Sequence, residues 1–265
     1  MLEIFTYSFM LRAFAAGLAI AVAAPLIGTF LVAKRYALIA DSLAHISLAG
    51  VAAGVLIGIN PLLSALVVAL LAGVAIEKLR ASGRLSGEVA LAMFLSSGLA
   101  IAVVLIGLAQ KVNIDLFAYL FGSITTVQTS DLWLILPLAG AIVALTILLY
   151  KELAYVSFDD EQARVSGLPV NVLNLALVLL AATTVVVALR VVGGLLIGAM
   201  MVIPVAAAMQ VARSFRTTMI YAVGFGVLAV IIGLFAAFYL NLAAGGTIVV
   251  TALLLFGLAL VWRKL

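Results

Sequence analysis

Leu38-Ile39-Ala40-Asp41-Ser42-Leu43-Ala44-His45-Ile46-Ser47-Leu48-Ala49-Gly50 opens an apolar run that reaches Ile59 and contains one acid and the chain's single histidine. A run of this length crosses a bilayer as a helix, each span needing about 20 residues. The rest of the chain repeats the pattern at 8–33, 62–76, 89–108, 132–150, 170–189, 192–212, 217–240 and 247–262. This predicts about nine spans, with eight to ten compatible with the composition. Of the 265 residues, 68% are hydrophobic and 9% charged, which excludes a soluble domain. The fold class expected is therefore all-α: a polytopic transmembrane helical bundle, with residues 1–265 forming a single membrane domain.

Composition excludes several functions. The net charge of +4 reads as basic loops on one side of a membrane rather than as a nucleic-acid surface. Without cysteine the chain has no disulfide, no thiolate metal site and no thiol catalysis. No G-x-x-x-x-G-K-[ST] loop is present, so the chain is not expected to hydrolyse ATP, and no G-x-S-x-G elbow supports a serine hydrolase. No basic leader precedes the first apolar run, which reads as retained.

Basic residues orient the bundle. Lys34, Arg35, Lys78, Arg80, Arg84, Lys151, Arg164, Arg213, Arg216, Arg263 and Lys264 fall on one side of the nine-span arrangement, against Arg12, Lys111 and Arg190 on the other. The first group is placed in the cytoplasm, with the C-terminus inside and the N-terminus outside.

An ionisable pair inside an apolar helix is costly and marks a candidate site. Asp41 and His45 are one helical turn apart, about 40° around the axis, with Ala49 and Ala52 near the same open, small-lined face. Measured from Arg35, His45 lies roughly 15 Å along the helix, near the bilayer midplane. Gly50, Gly54 and Gly58 form a small-residue ridge on the other face, expected to pack closely on another helix. Imidazole plus carboxylate suits a divalent transition ion. Two ligands do not close a tetrahedral site, whereas a two-fold homodimer would supply four. The competing reading has Asp41 and His45 as structural glue between helices.

Three connections carry information. Residues 115–124 read either as a half-helix entering from outside or as an interfacial aromatic helix. Residues 241–246 read as a tight outer turn or a plain loop. Residues 157–169 read as a short charged helix on the cytoplasmic side, capped by Ser157 with Asp160 three positions on, and stopped by Gly167 and Pro169. Within it Asp160, Glu161, Gln162, Ala163 and Gly167 are candidates for docking a cytoplasmic partner.

These motifs resemble the permease subunit of zinc- and manganese-type ABC importers, the ABC-3 family. Lys34-Arg35-x-Ala-Leu-Ile-x-Asp41-Ser42-Leu-x-His45-x-Ser-Leu-x-Gly50-Val is similar to its early signature, and Leu120-Phe121-Gly122-Ser123 to its central motif. The segment from Asp160 through Gly167 to Pro169 resembles the element that meets the ATPase. Val191-Val192-Gly193-Gly194 through Pro204-Val205-Ala206-Ala207 resembles the motif after it. Asn241-Leu-Ala-Ala-Gly-Gly departs from the acid and prolines frequent before the family's last span. The resemblance implies a type II ABC importer-like fold, a homodimer in the lipid of a prokaryotic cell membrane, cytoplasmic ATPase subunits and an extracellular or periplasmic metal-binding protein. It also implies an ion path lined by Asp41 and His45, no permanent cofactor, and Zn2+ or Mn2+ as cargo; the 115–122 segment is closer to the zinc branch. A secondary metal–proton carrier would show mirrored broken helices, and only one Asp/His segment is present. A non-transporting scaffold would leave Asp41 and His45 explained only as glue.

Overall fold

The computed structural model describes residues 2–83, 85–108 and 116–264, so Arg84, Lys111 and Asp115 of the sequence analysis lie outside the described residues. After a 3-10 turn at Leu2–Thr6, the chain runs through α1 (Ser8–Ala33), α2 (Ile39–Ile57), α3 (Pro61–Ala81), α4 (Gly87–Leu108) and the short α5 (Leu116–Phe121). There follow α6 (Thr129–Leu148), α7 (Tyr150–Phe158), α8 (Asp160–Val165), α9 (Val170–Ala188), α10 (Ile197–Val211), α11 (Phe215–Leu240) and α12 (Ala244–Lys264). Among the described residues no strand occurs. Among the described residues eight helices are long and apolar enough to cross a membrane, and α10, with 15 residues, is a shorter apolar helix beside them.

Burial sorts the helices into layers. About seven-tenths of the apolar window of α1 (72%), α2 (72%) and α9 (67%) is buried, against 22% for α4 and 28% for α6. The first three form the centre and the last two present apolar side chains outward, as lipid-facing helices do. Close approach between helices depends on small residues, because lipid tails remove the hydrophobic drive for helix association. Pro25 inside α1 cannot donate to the Ala21 carbonyl. Gly226 of α11 lies directly on that carbonyl, where an added Cβ would stand 2.7 Å from the oxygen.

The turns set the helix starts. Asn60 caps α3 through Oδ1, accepting from the N–H groups of Leu62 (2.9 Å) and Leu63 (3.3 Å), with Pro61 at the first helical position. At the end of α1 the Arg35 N–H donates to the Val32 carbonyl and the Tyr36 N–H to Leu31, a Schellman closure. Arg35 occupies its left-handed position (φ 58°), where glycine is usual. Residues 34–38 are therefore turn, and α2 begins only at Ile39. His45 then stands about 9 Å along α2 from its start, in the first half of the helix, rather than the 15 Å that follows from counting helix from Arg35.

The seventh apolar run also starts late. Gly193 and Gly194 do not open a helix. The Gly194 and Leu195 N–H groups donate instead to the Tyr119 (2.7 Å) and Leu120 (3.1 Å) carbonyls at the end of α5, and Ser123 N–H donates to Arg190 (3.1 Å). Gly122, Gly193 and Gly245 allow the three backbones to touch; a Cβ on any of them would strike a neighbouring main chain. α10 thus starts at Ile197. Residues 241–246 resolve into a tight turn: Asn241 ends α11 in the left-handed region and α12 starts at Ala244.

Candidate functional site

Asp41 sits in the first turn of α2, and His45 one turn on. A carboxylate at a helix N-terminus meets the positive end of the helix dipole. Both side chains are half-buried, while Ile39, Ala40, Ser42, Leu43, Ala44 and Ile46 around them are buried. Among the described residues no ion pair joins Asp41 to His45.

α4 fixes the histidine. His45 Nδ1 lies 3.2 Å from the Leu95 carbonyl oxygen. A carbonyl only accepts, so this bond puts the proton on Nδ1 and leaves the lone pair on Nε2, the tautomer a metal ion takes. One turn earlier Ser42 Oγ donates to the Leu91 carbonyl (2.9 Å) as well as to Leu38 (3.1 Å), so its hydroxyl serves packing. Gly98 lets α4 ride on the α2 backbone: a Cβ there would lie 2.7 Å from Ile46 N and 2.9 Å from the His45 carbonyl carbon.

α10 bounds the carboxylate. Gly198, in the first turn of α10, leaves room for Asp41, because a Cβ on Gly198 would overlap Asp41 Oδ1. The face beyond His45 is closed, where an open one was expected: Ala49 is 6% and Ala52 1% exposed. A Cβ at Gly194, in the segment between α9 and α10, would lie 3.5 Å from Leu48, so that segment covers α2 just beyond the site. An ion pair anchors it: Arg190 Nε is 3.4 Å from Asp131 Oδ2 of α6, and the guanidinium stacks 4.8 Å over the Tyr119 ring. Sequence reading assigned nothing to Gly98, Asp131 or Gly198. Gly198, four residues after Gly194, carried a small-residue spacing that pointed to a close contact without naming its partner.

Among the described residues no group of three or more His, Asp or Glu gathers. One chain therefore offers an oriented imidazole and a carboxylate one turn apart, an incomplete ligand set.

The small-residue ridge splits. Gly50 and Gly54 pack on α3, where Cβ atoms would meet Ala65 Cα at 2.7 Å and Ser64 Cβ at 2.7 Å. Gly58 has open space around it and ends α2 in the left-handed conformation (φ 73°). It is a helix cap rather than a packing residue.

The charged 157–169 stretch also differs from its expected form. α7 runs on to Phe158, and Ser157 is buried within it. The cap of α8 is Asp159, in extended conformation, whose Oδ1 accepts from Glu161 and Gln162 N–H (2.9 Å each); a charged carboxylate caps at least as well as a hydroxyl. Ala163 is buried, while Glu161, Gln162, Arg164 and Val165 are exposed. Gly167 closes α8 at φ 83°, with Leu168 N–H donating to Ala163 and Gly167 N–H to Arg164. Asp160 points inward. Lys34 Nζ lies 2.7 Å from its Oδ1 and Asn174 Nδ2 3.4 Å from its Oδ2. Tyr36, nearby, lies under the Arg80 guanidinium, and burial pushes its phenol up to about 12, so it stays neutral.

The family model described as the ABC 3 transport family matches residues 6–263. The chain is 34% identical to the manganese import system permease protein ScaB of Streptococcus parasanguinis, over 94% of this chain and 89% of that one. It is 31% identical to the manganese transport system membrane protein MntC of Listeria monocytogenes, over 96% of this chain and 90% of that one. Among solved structures, PsaBC from Streptococcus pneumoniae in complex with Fab superposes with a TM-score of 0.87 at 32% identity, covering 97% of this chain and 92% of that chain.

Proposed function

From the chain's membership of the ABC 3 transport family, we propose that it is the membrane permease of an ATP-driven importer for a divalent first-row transition ion. The observation that carries this reading is the contact of His45 Nδ1 with the Leu95 carbonyl, which spends that nitrogen and leaves Nε2 for an ion, one turn from a half-buried carboxylate. Two copies about a two-fold axis bring two such pairs together, giving four ligands where one chain gives two. Weak, incomplete coordination suits a site that must release its cargo. The carboxylate suits Mn2+ and the imidazole Zn2+. ScaB and MntC are named for manganese, whereas the 115–122 segment resembles the zinc branch.

ATP is hydrolysed on separate cytoplasmic subunits, which dock on the exposed Glu161, Gln162, Arg164 and Val165 of α8. A metal-binding protein outside the cell delivers the ion to the opposite end, where the Arg190-anchored segment covers α2. That segment gives the outward-closed form; the ion enters when it parts from α5. No cofactor stays bound, and lipid meets the outward faces of α4 and α6.

The test is uptake into vesicles that contain the complete importer, with labelled Mn2+ and Zn2+ in competition. Asp41→Ala and His45→Ala abolish uptake of the preferred ion while the permease still assembles with its ATPase. Normal uptake in both single variants would leave the pair as structural glue and refute the proposal.

A further inference from the structure

Asp160 is the residue of α8 on which the basic end of the bundle converges. Its Oδ1 takes the Lys34 ammonium at 2.7 Å, and the same ammonium donates to the Val156 carbonyl of α7 at 3.1 Å. Its Oδ2 faces Arg80 Nη1 of α3 at 3.9 Å. Arg80 is itself forked onto Glu77 through Nε (2.9 Å) and Nη2 (2.7 Å). Asn174 of α9, 3% exposed, directs Nδ2 at both carboxylate oxygens (3.5 and 3.4 Å). Three elements, the α1 end, α3 and α9, thus meet at one side chain at the start of α8, and Lys34 adds α7 through the Val156 carbonyl.

The rest of α8 holds the bundle weakly. Glu161, Gln162, Arg164, Val165 and Ser166 are exposed, and only Ala163 is buried. Lys34 is the C-cap of α1 and the first residue of the turn that leads through the left-handed Arg35 into α2. That turn is short and closed by two backbone hydrogen bonds, so a displacement of Lys34 moves the start of α2. Asp41 lies in the first turn of that helix.

We infer that the Lys34–Asp160 ion pair, seated by Arg80 and Asn174, is the mechanical link that carries movement of α8 to α2 and so to Asp41 and His45. Lys34 and Asp160 are positioning residues on this account: they touch no ion, and they couple the partner-facing helix to the ion helix. The inference rests on the transport reading above. A charged hydrogen bond suits such a link, because it is stronger than a neutral one and has a defined length.

The experiment uses the complete importer in vesicles and reads ATP hydrolysed per ion taken up, together with permease–ATPase assembly. Lys34→Met and Asp160→Asn each raise the ATP spent per ion by about tenfold, the scale of one charged hydrogen bond, while assembly persists. The double variant is no worse than either single one, because the two residues act through one contact. Lys34→Arg keeps the charge and keeps coupling. Should a neutralised variant fail to assemble, Lys34→Cys with Asp160→Cys in this cysteine-free chain, bridged by a short bis-maleimide, restores coupling that is absent before bridging. A wild-type ratio in the single variants, additive losses in the double variant, or no gain on bridging would overturn the link. Any of these results, with Asp41→Ala still inactive, leaves the transport reading standing. Normal uptake by Asp41→Ala and His45→Ala overturns the transport reading instead.

Discussion

Gly198→Ala places one methyl group against the carboxylate proposed to hold the ion. The added carbon overlaps Asp41 Oδ1, and ordinary contact needs about 3.5 Å, so the carboxylate or α10 has to shift by about 1 Å or more. Intrinsic helix propensity works the other way, since alanine is favoured over glycine by about 1 kcal/mol inside a helix. A loss of function therefore comes from the displaced carboxylate and not from a weakened helix. Changes to groups that orient metal ligands cost about 10–100-fold in affinity, and the same range is expected here. The assay is the ion-concentration dependence of uptake by the complete importer, with Gly140→Ala, whose new Cβ meets nothing within 4 Å, as the control. The half-saturating concentration rises 10- to 100-fold for Gly198→Ala and stays put for Gly140→Ala. Unchanged ion dependence in Gly198→Ala would show that Asp41 can move freely without consequence, and the account of the site would fail.

Gly98→Ala pushes α4 off the α2 backbone at His45, so the Leu95 carbonyl loses its hold on Nδ1; ion affinity drops by about tenfold, read in the same uptake series. Arg35→Gly removes a left-handed non-glycine residue and stabilises the permease by about 1 kcal/mol, seen as a higher unfolding midpoint in detergent. Arg190→Ala removes the counter-charge of Asp131, which is 3% exposed and keeps the Gln128 N–H as a partner, and costs about 3 kcal/mol; the Asp131→Asn, Arg190→Leu double variant costs less because no buried charge is left without its counter-charge. Equal midpoints for the single and double variants would show that the pair is not what anchors the segment over α2.

The helical bundle was legible because lipid imposes one rule on every span. Apolar length marks a helix whatever it packs against, and the predicted 8–33 run coincides with α1 to the residue. Helix starts were less legible wherever backbone hydrogen bonds go to a distant element. The late start of α10 depends on carbonyls of α5, and no local pattern around Gly193-Gly194 announces that pairing. The site divides in the same way. Asp41 and His45 are visible because an ionisable pair in an apolar run is expensive. Leu95 acts through its backbone carbonyl and Gly198 through the absence of a side chain, and neither property has a signature in a single sequence.

Asp159, Asp160 and Glu161 show the limit most sharply. In sequence they are three adjacent acids in one charged helix, and nothing local separates Asp160 from Glu161 as a contact for a partner. In the fold they separate: Asp159 caps α8, Asp160 turns inward onto Lys34, and Glu161 faces out. Three consecutive residues at a helix start point about 100° apart, so a bundle on one side necessarily gives them different surroundings. The consequence is experimental. Reversing charge at Asp160 and Glu161 together would set a lysine at position 160 against Lys34 and Arg80, so any lost transport would report the broken ion pair. Glu161→Lys alone reverses charge on the exposed face and leaves the inward ion pair intact. It is therefore the variant whose effect on ATPase binding tests whether α8 is the docking surface.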